Sequence, residues 1–414
     1  MNAPVANEPG ANEPVANEPG ANEPGAICSD TGRWLLREAR DLPSISAVVG
    51  GLARRLTADG FHIHRLFVST RTLHPQVLAI GQTWNRGDHD ATEMRRLHGV
   101  LESAAYLDSP VRRIFEGETQ VRRRLDQPGA PLDFPILAEL RAEGVTEYIA
   151  LPLPFSQGRM NVISVATDRP GGFRDDYLFA FRELLPLLAL VIETKETRRM
   201  TATLLETYLG RDAGQRVLNG AVKRGDVVTL AAALWYCDLR GFTTLSERLP
   251  REQVIALLND YFSCMAGPVH AHGGDVLKFI GDAMLAIFPI AGDLDRDPAC
   301  ERALTAAKEA LRDLDALNVQ RREKGETPIE AGLALHRGTV MYGNIGAPDR
   351  LDFTVIGPAV NLVARLEPLC KPLGRRLLAS ASIAAPCGST LVSIGTHTVR
   401  GFAEPLELFT LPDD

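Results

Sequence analysis

No apolar run in this chain is long enough to cross a bilayer: the longest, LLPLLALVI at 184–192, contains Pro186 and falls well short of the ~20 residues a spanning helix needs. The N-terminus has neither the basic stretch nor the apolar core that directs export. A cytoplasmic protein with no membrane span is therefore expected. Cysteine is also sparse. The six (Cys28, Cys237, Cys264, Cys300, Cys370, Cys387) are scattered without a CxxC pair, which argues against a disulfide framework or a zinc site and for reduced, mostly buried thiols. Positive charge is in deficit, with a formal net charge of -7. Neutralising a polyphosphate backbone needs a concentrated basic surface, so no nucleic-acid partner is expected.

What is present is ordinary globular composition. The 414 residues are 45% hydrophobic and 23% charged, enough for two domains with real cores. Residues 6–25 repeat the unit ANEPG or ANEPV, whose Pro, Gly, Asn and Glu cannot build a core, so residues 1–28 are expected to be a disordered tail.

From 29 to 193 the pattern changes. WLLREARDLPSISAVVGGLARRLTADG has apolar residues at helical spacing, while HIHRLFVSTRTL, EYIALPLPF and MNVISVATD alternate as strands. The last two strands, a turn at SQGR and a long amphipathic helix from PGGFRDD resemble the closing half of a GAF-type sensory domain. That implies a regulatory domain of mixed α/β structure with an unknown small-molecule ligand. His62 and His64 share a strand face, read as a wet face rather than a metal or haem site because no carboxylate or cysteine sits at ligand spacing in sequence. Arg122, Arg123 and Arg124 are read as a solvated face. Phe181, Leu184, Leu188, Val191, Lys195, Arg198, Ala202, Leu205 and Leu209 step alternately by three and four, the spacing of a coiled-coil seam. Residues 194–224 are thus expected to be a helical linker that transmits a signal, with packing of a single helix on its own domain as the alternative.

The richest chemistry follows at 225–414. Asp238 ends the apolar run LAAALWYCD, and Asp282 sits in the turn of VLKFIGDAMLAIF. Strand-end turns can aim two carboxylates at one point, where hard cations would hold a nucleoside triphosphate. The order is strand (VVTLAAALWYCD), helix (REQVIALLNDYFSCMAGPVHAH), hairpin, helix (ACERALTAAKEALRDLDAL), further strands, then a helix from Pro358. It predicts an α+β, ferredoxin-like split unit of antiparallel strands under two helices. After Asp238, Gly241 permits close backbone approach, and Thr244 with Glu247 has the spacing of a capping box.

Four blocks, LWYCDLRGFTTLSERL, GGDVLKFIGDAMLAIF, GLALHRGTVMYGNIG and RLDFTVIGPAVNLVARLE, occur in that order within about 140 residues. This resembles the catalytic domain of class III adenylyl cyclases. The resemblance implies that Asp238 and Asp282 ligate two ions, Mg2+ or Mn2+. It implies that Gly241, Phe242 and Thr243 present backbone amides to the triphosphate, and that Lys278 and Thr354 read the purine. Asn361 would orient the ribose, Arg365 would stabilise charge at the α-phosphate, and Arg400 would be a further phosphate-binding residue. An ammonium only donates, which suits N1 of adenine and opposes the N1–H of guanine. ATP is the implied substrate and 3',5'-cyclic AMP with pyrophosphate the implied products. Threonine at 354 looks like the subclass in which several members respond to bicarbonate.

In the family each site draws the aspartate pair from one subunit and the other groups from its partner, which implies a homodimer with shared active sites. A guanylyl cyclase and a nucleotide-binding regulatory module without turnover are the competing readings. The GGD at 273–275 resembles a diguanylate cyclase signature only superficially, because Val276 and Leu277 replace its acidic and aromatic residues.

Overall fold

A computed structural model describes residues 24–291 and 298–413. Most of the expected tail lies outside these. From Pro24 the backbone is helical, so residues 24–28 belong to a helix rather than to a tail. The chain divides into two units, 1–203 and 204–414.

The first unit opens with α1 (Pro24–Arg37) and α2 (Ile45–Ala58), where the Ser44 side chain caps the second helix by accepting from the Ala47 amide. Strands β1 (Arg65–Arg71), β2 (Val77–Asn85) and β3 (Thr92–Leu97) lead to short helices α3 (Ala104–Leu107) and α4 (Pro110–Phe115). Next come β4 (Val121–Arg124), α5 (Pro135–Ala142), β5 (Glu147–Pro154), β6 (Met160–Thr167) and the long α6 (Asp175–Leu209). The six strands make one antiparallel sheet in the order β3-β2-β1-β6-β5-β4.

Val48, Val49, Leu52 and Leu56 on α2 pack with Leu66 and Val68 of β1 and with Phe181, Leu184, Leu188 and Val191 of α6. The last four are the first positions of the expected coiled-coil seam. For these positions the expectation is corrected: their side chains are spent on their own unit's core, and Lys195 at the next position donates to the carbonyls of Arg40 and Leu42. The arginine run is corrected too. Arg122 bonds the buried carboxylate of Glu147 at 2.7 Å, Arg123 pairs with Asp133 and Arg124 with Asp126. His64 lies 3.1 Å from Glu143, a carboxylate 79 positions away that local spacing could not reveal.

The second unit begins within α6 and continues with α7 (Arg211–Leu218), β7 (Val227–Leu239), α8 (Phe242–Arg248), α9 (Arg251–Ala271), β8 (Asp275–Ile280) and β9 (Ala283–Pro289). Then follow α10 (Ala299–Glu323), β10 (Ala331–Ala347), β11 (Arg350–Ile356), α11 (Pro358–Leu366), β12 (Leu377–Ser380), α12 (Ala381–Cys387), β13 (Val392–His397) and β14 (Leu406–Thr410). The sheet runs β13-β14-β12-β10-β7-β9-β8, with β11 paired to the far end of β10. Its half from β8 through β9 and β7 to β10 is the expected ferredoxin-like arrangement.

From Ala232 on, β7 is apolar but for Asp238 because both faces are covered there, whereas Val227–Thr229 at its start are exposed. Ala233, Trp235, Cys237 and Leu239 pack under α9 and α10, whereas Ala232 and Leu234 face α11 and β11. The period of two therefore puts Asp238 on the α11 face. Asp275 ties α7 to the sheet: its two carboxylate oxygens, at the head of β8, accept from the amides of Arg211 and Asp212 at 3.2 Å each.

Candidate active site

Asp238 is the penultimate residue of β7, and its carboxylate accepts from the Leu239 amide at 2.9 Å. Asp282 stands in the two-residue turn between β8 and β9, where Ile280 pairs with Ala283 and Gly281 takes φ 65°. Such a tight hairpin favours glycine at a left-handed position. Because β9 lies beside β7, with Cys237 opposite Met284, the hairpin tip brings Asp282 to Asp238. Burial, then the charge of Asp282 and a hydrogen bond to it, raise the Asp238 pKa to about 6. Two acids held this close, one of them half-buried, form an oxygen donor set of the kind that takes a hard divalent cation.

A third acid escaped the sequence reading. Glu367, just past α11, is buried, and its pKa is pushed up to about 7 by burial and then by Asp238, against the opposing charge of Arg240. Its side chain occupies the space over Gly332, the residue paired with Asp238 across the sheet. A Cβ at 332 would lie 2.0 Å from the Glu367 carboxylate, so glycine is required there by close approach. No local motif marks Glu367. Its role depends on the α11 end meeting β7 and β10.

After Asp238 the chain turns through Gly241, at φ 73° and acting as N-cap of α8, directly into Phe242 and Thr243. This corrects the capping-box expectation. The helix starts at Phe242, so Thr244 is already inside it, and the N-cap makes no side-chain hydrogen bond. Phe242 is partly buried against the α9–α10 core, whereas Thr243 is exposed.

Lys278 on β8 pairs with Asp352 on β11, another group the sequence reading missed. Thr354 lies two residues further along β11, hence on the same strand face, and is buried opposite Gly343. Asn361 and Arg365 share the exposed face of α11, while Leu362, Val363 and Leu366 bury the other. The Arg365 guanidinium donates to the Arg400 carbonyl at 2.9 Å and lies 5.8 Å from the Phe402 ring centroid. Gly401, at φ 83°, leaves room for it.

The expected residues thus form two groups. Asp238 meets Asp282, and Arg365 meets the backbone of Arg400. No hydrogen bond or ion pair among the described residues joins the aspartates to Lys278, Asn361 or Arg365.

Residues 227–408 match the family described as adenylate and guanylate cyclase catalytic domain. The adenylate cyclase of Anabaena cylindrica is 35% identical over 162 residues, 39% of this chain and 32% of that protein. Adenylate cyclase 1 of Rhizobium meliloti (strain 1021) is 32% identical over 178 residues, 42% of this chain and 26% of that protein. Among solved structures, the adenylyl cyclase CyaB from P. aeruginosa is 28% identical with a TM-score of 0.41, over 46% of this chain and 97% of that one. The chain spans between a quarter and a third of the two curated relatives. Residues 227–408 are a class III adenylate and guanylate cyclase catalytic domain. Its homologues include named adenylate cyclases. Among the described residues no helix is long and apolar enough to cross a membrane.

Proposed function

We propose that this domain is an adenylyl cyclase that converts ATP to 3',5'-cyclic AMP and pyrophosphate by in-line attack of the ribose 3'-hydroxyl on the α-phosphate. The observation that carries the reading is the meeting of Asp238 and Asp282 at the end of β7. Bound there, two ions, Mg2+ or Mn2+, would supply acidification of the 3'-hydroxyl and neutralisation of the triphosphate. Gly241, Phe242 and Thr243 offer the backbone next to Asp238 for phosphate contact. Arg365 stabilises charge on the α-phosphate, Asn361 orients the ribose, and Arg400 stands beside Arg365 as a further cation.

For the base, the Lys278 ammonium donates to N1 of adenine, and the Thr354 hydroxyl accepts from the exocyclic amine. The Lys278 reading favours ATP over GTP.

Two features support a homodimer with shared sites. The aspartates and the base- and ribose-reading groups are unconnected within one chain. Large apolar side chains are also left in the open around them: Phe279 and Ile280 on β8 are 51% and 47% exposed, and the cross-strand pair Met341 and Ile356 are 42% and 41% exposed. A partner subunit covers such a surface. The N-terminal unit is read as a GAF-like regulatory domain on its element order.

The test is incubation of the purified full-length chain with ATP or GTP and Mg2+ or Mn2+, with cyclic nucleotide quantified and Asp282→Ala as control. Cyclic AMP that vanishes in the variant supports the reading. Cyclic GMP from GTP as the main product would overturn the assignment of Lys278, and nucleotide binding without product under every condition would favour a regulatory module.

A further inference from the structure

The first unit contains a cavity of about 120 Å³ between the β1–β2 face of its sheet and the α3–α4 segment. In its floor Ser69 pairs with Gly81 and Arg71 with Ala79; the Phe67 ring lies against Gly81, and the small side chains of Ser69 and Ala79 leave the space beside it. Its roof is apolar, from Leu101, Tyr106 and Phe115.

One end of the cavity is cationic. Arg71 on β1 is opposite Ala79 on β2, and Ala79 is opposite Arg96 on β3, so the two arginines flank an alanine in one row across three strands. Cross-strand partners project to the same face. With neighbouring strands ~4.8 Å apart, the two backbones are on the order of 10 Å apart, within reach of two guanidinium groups for one anion. Both line the cavity. Neither forms an ion pair with an acid among the described residues, whereas Arg86, Arg112, Arg122, Arg123 and Arg124 of the same unit all do. The Arg71 guanidinium instead lies 4.1 Å from the centroid of the Phe115 ring in the roof.

We propose that this cavity binds a small organic carboxylate, its apolar body against the roof and its carboxylate between Arg71 and Arg96. The volume sets the size class. An apolar cavity of roughly 150 Å³ holds benzene, so one ring or a chain of about six carbons fits. The charge sets the headgroup, because guanidinium pairs match carboxylates with directed, charge-assisted bonds. The inference is independent of the cyclase chemistry.

The test is isothermal titration of the full-length protein with sodium benzoate, sodium hexanoate and neutral benzyl alcohol. Saturable binding of benzoate or hexanoate at one per chain is expected, with benzyl alcohol about tenfold weaker or worse. Arg71→Gln and Arg96→Gln should each weaken carboxylate binding by about tenfold or more, and both positions are exposed enough for the variants to fold. Ser69→Leu keeps both arginines but fills the floor, and should abolish binding. No binding of either carboxylate at about 10 mM, undiminished binding in the two glutamine variants, or equal affinity for benzyl alcohol would each overturn the proposal.

Discussion

Lys278 and Asp352, 74 positions apart, form an ion pair that joins β8 to β11. The acid stands two residues before Thr354 on the same strand face, so it holds the Lys278 ammonium on the side of β11 that carries the Thr354 hydroxyl, the two groups proposed to read the base. Asp352→Asn should raise KM for ATP about two- to fivefold and narrow the preference over GTP while leaving kcat in place, the scale of a partly exposed pair. Steady-state kinetics with both nucleotides checks this; a fall in kcat alone would assign Asp352 elsewhere.

The acids around Asp238 make the metal-free protein pH-sensitive. Asp238 at about 6 and Glu367 at about 7 lie above their ordinary values near ~3.9 and ~4.3. From roughly pH 4 upward the unfolded chain has released these protons while the folded chain still holds them, so stability contributed here falls as pH rises toward about 7. Melting in chelator should therefore show a lower Tm at pH 7.5 than at pH 5.5. Mn2+ should raise Tm at pH 7.5, and Asp282→Asn should flatten the pH dependence, remove the Mn2+ effect and abolish turnover. A Tm indifferent to Mn2+ in the wild type would count against the cation site.

Shared sites predict complementation. Asp238→Ala and Arg365→Ala chains should each be nearly inactive alone. Random mixing makes half the dimers mixed, each with one intact site, so activity should return to about a quarter of wild type. Cyclic AMP formation after co-refolding measures it, and no recovery would argue that each site is built within one chain.

Gly401 is expected to matter through Arg365. A Cβ at 401 would lie 2.2 Å from an Arg365 guanidinium nitrogen, on backbone at φ 83°. Gly401→Ala should cost about 1 kcal/mol or more of stability from the left-handed backbone alone. By displacing Arg365 it should also lower kcat toward the ~10²- to 10³-fold loss expected of Arg365→Ala. Comparing kcat with Tm for the two variants separates displacement from unfolding.

The catalytic unit was largely legible in the sequence because its signals are local. The apolar run ending at Asp238, the hairpin at Gly281 and Asp282, and the helical segments of α9 and α10 each announce themselves within one element. What escaped depends on chain segments meeting. Asp352 finds Lys278, and Glu367 finds Asp238, only once the sheet is assembled. The seam on α6 misled for a related reason: a three-four spacing declares an apolar face without saying what covers it, and here α2 and the sheet do so up to Val191. Thr244 and Glu247 have the spacing of a capping box, but the helix begins three residues earlier than that box requires, with Gly241 as N-cap and Phe242 as its first residue.

The carboxylate of Asp275 gives the entrance to the catalytic unit a mechanical meaning. It grips the first two amides of α7 and is itself the first residue of β8, three residues from Lys278 and seven from Asp282. At Gly210, the residue joining α6 to α7, a Cβ would lie 2.9 Å from the Val276 carbonyl, so there is no slack between this joint and the strand. Helix and strand are held as one body, so a displacement of α7 would carry β8 and its hairpin to Asp282 with it.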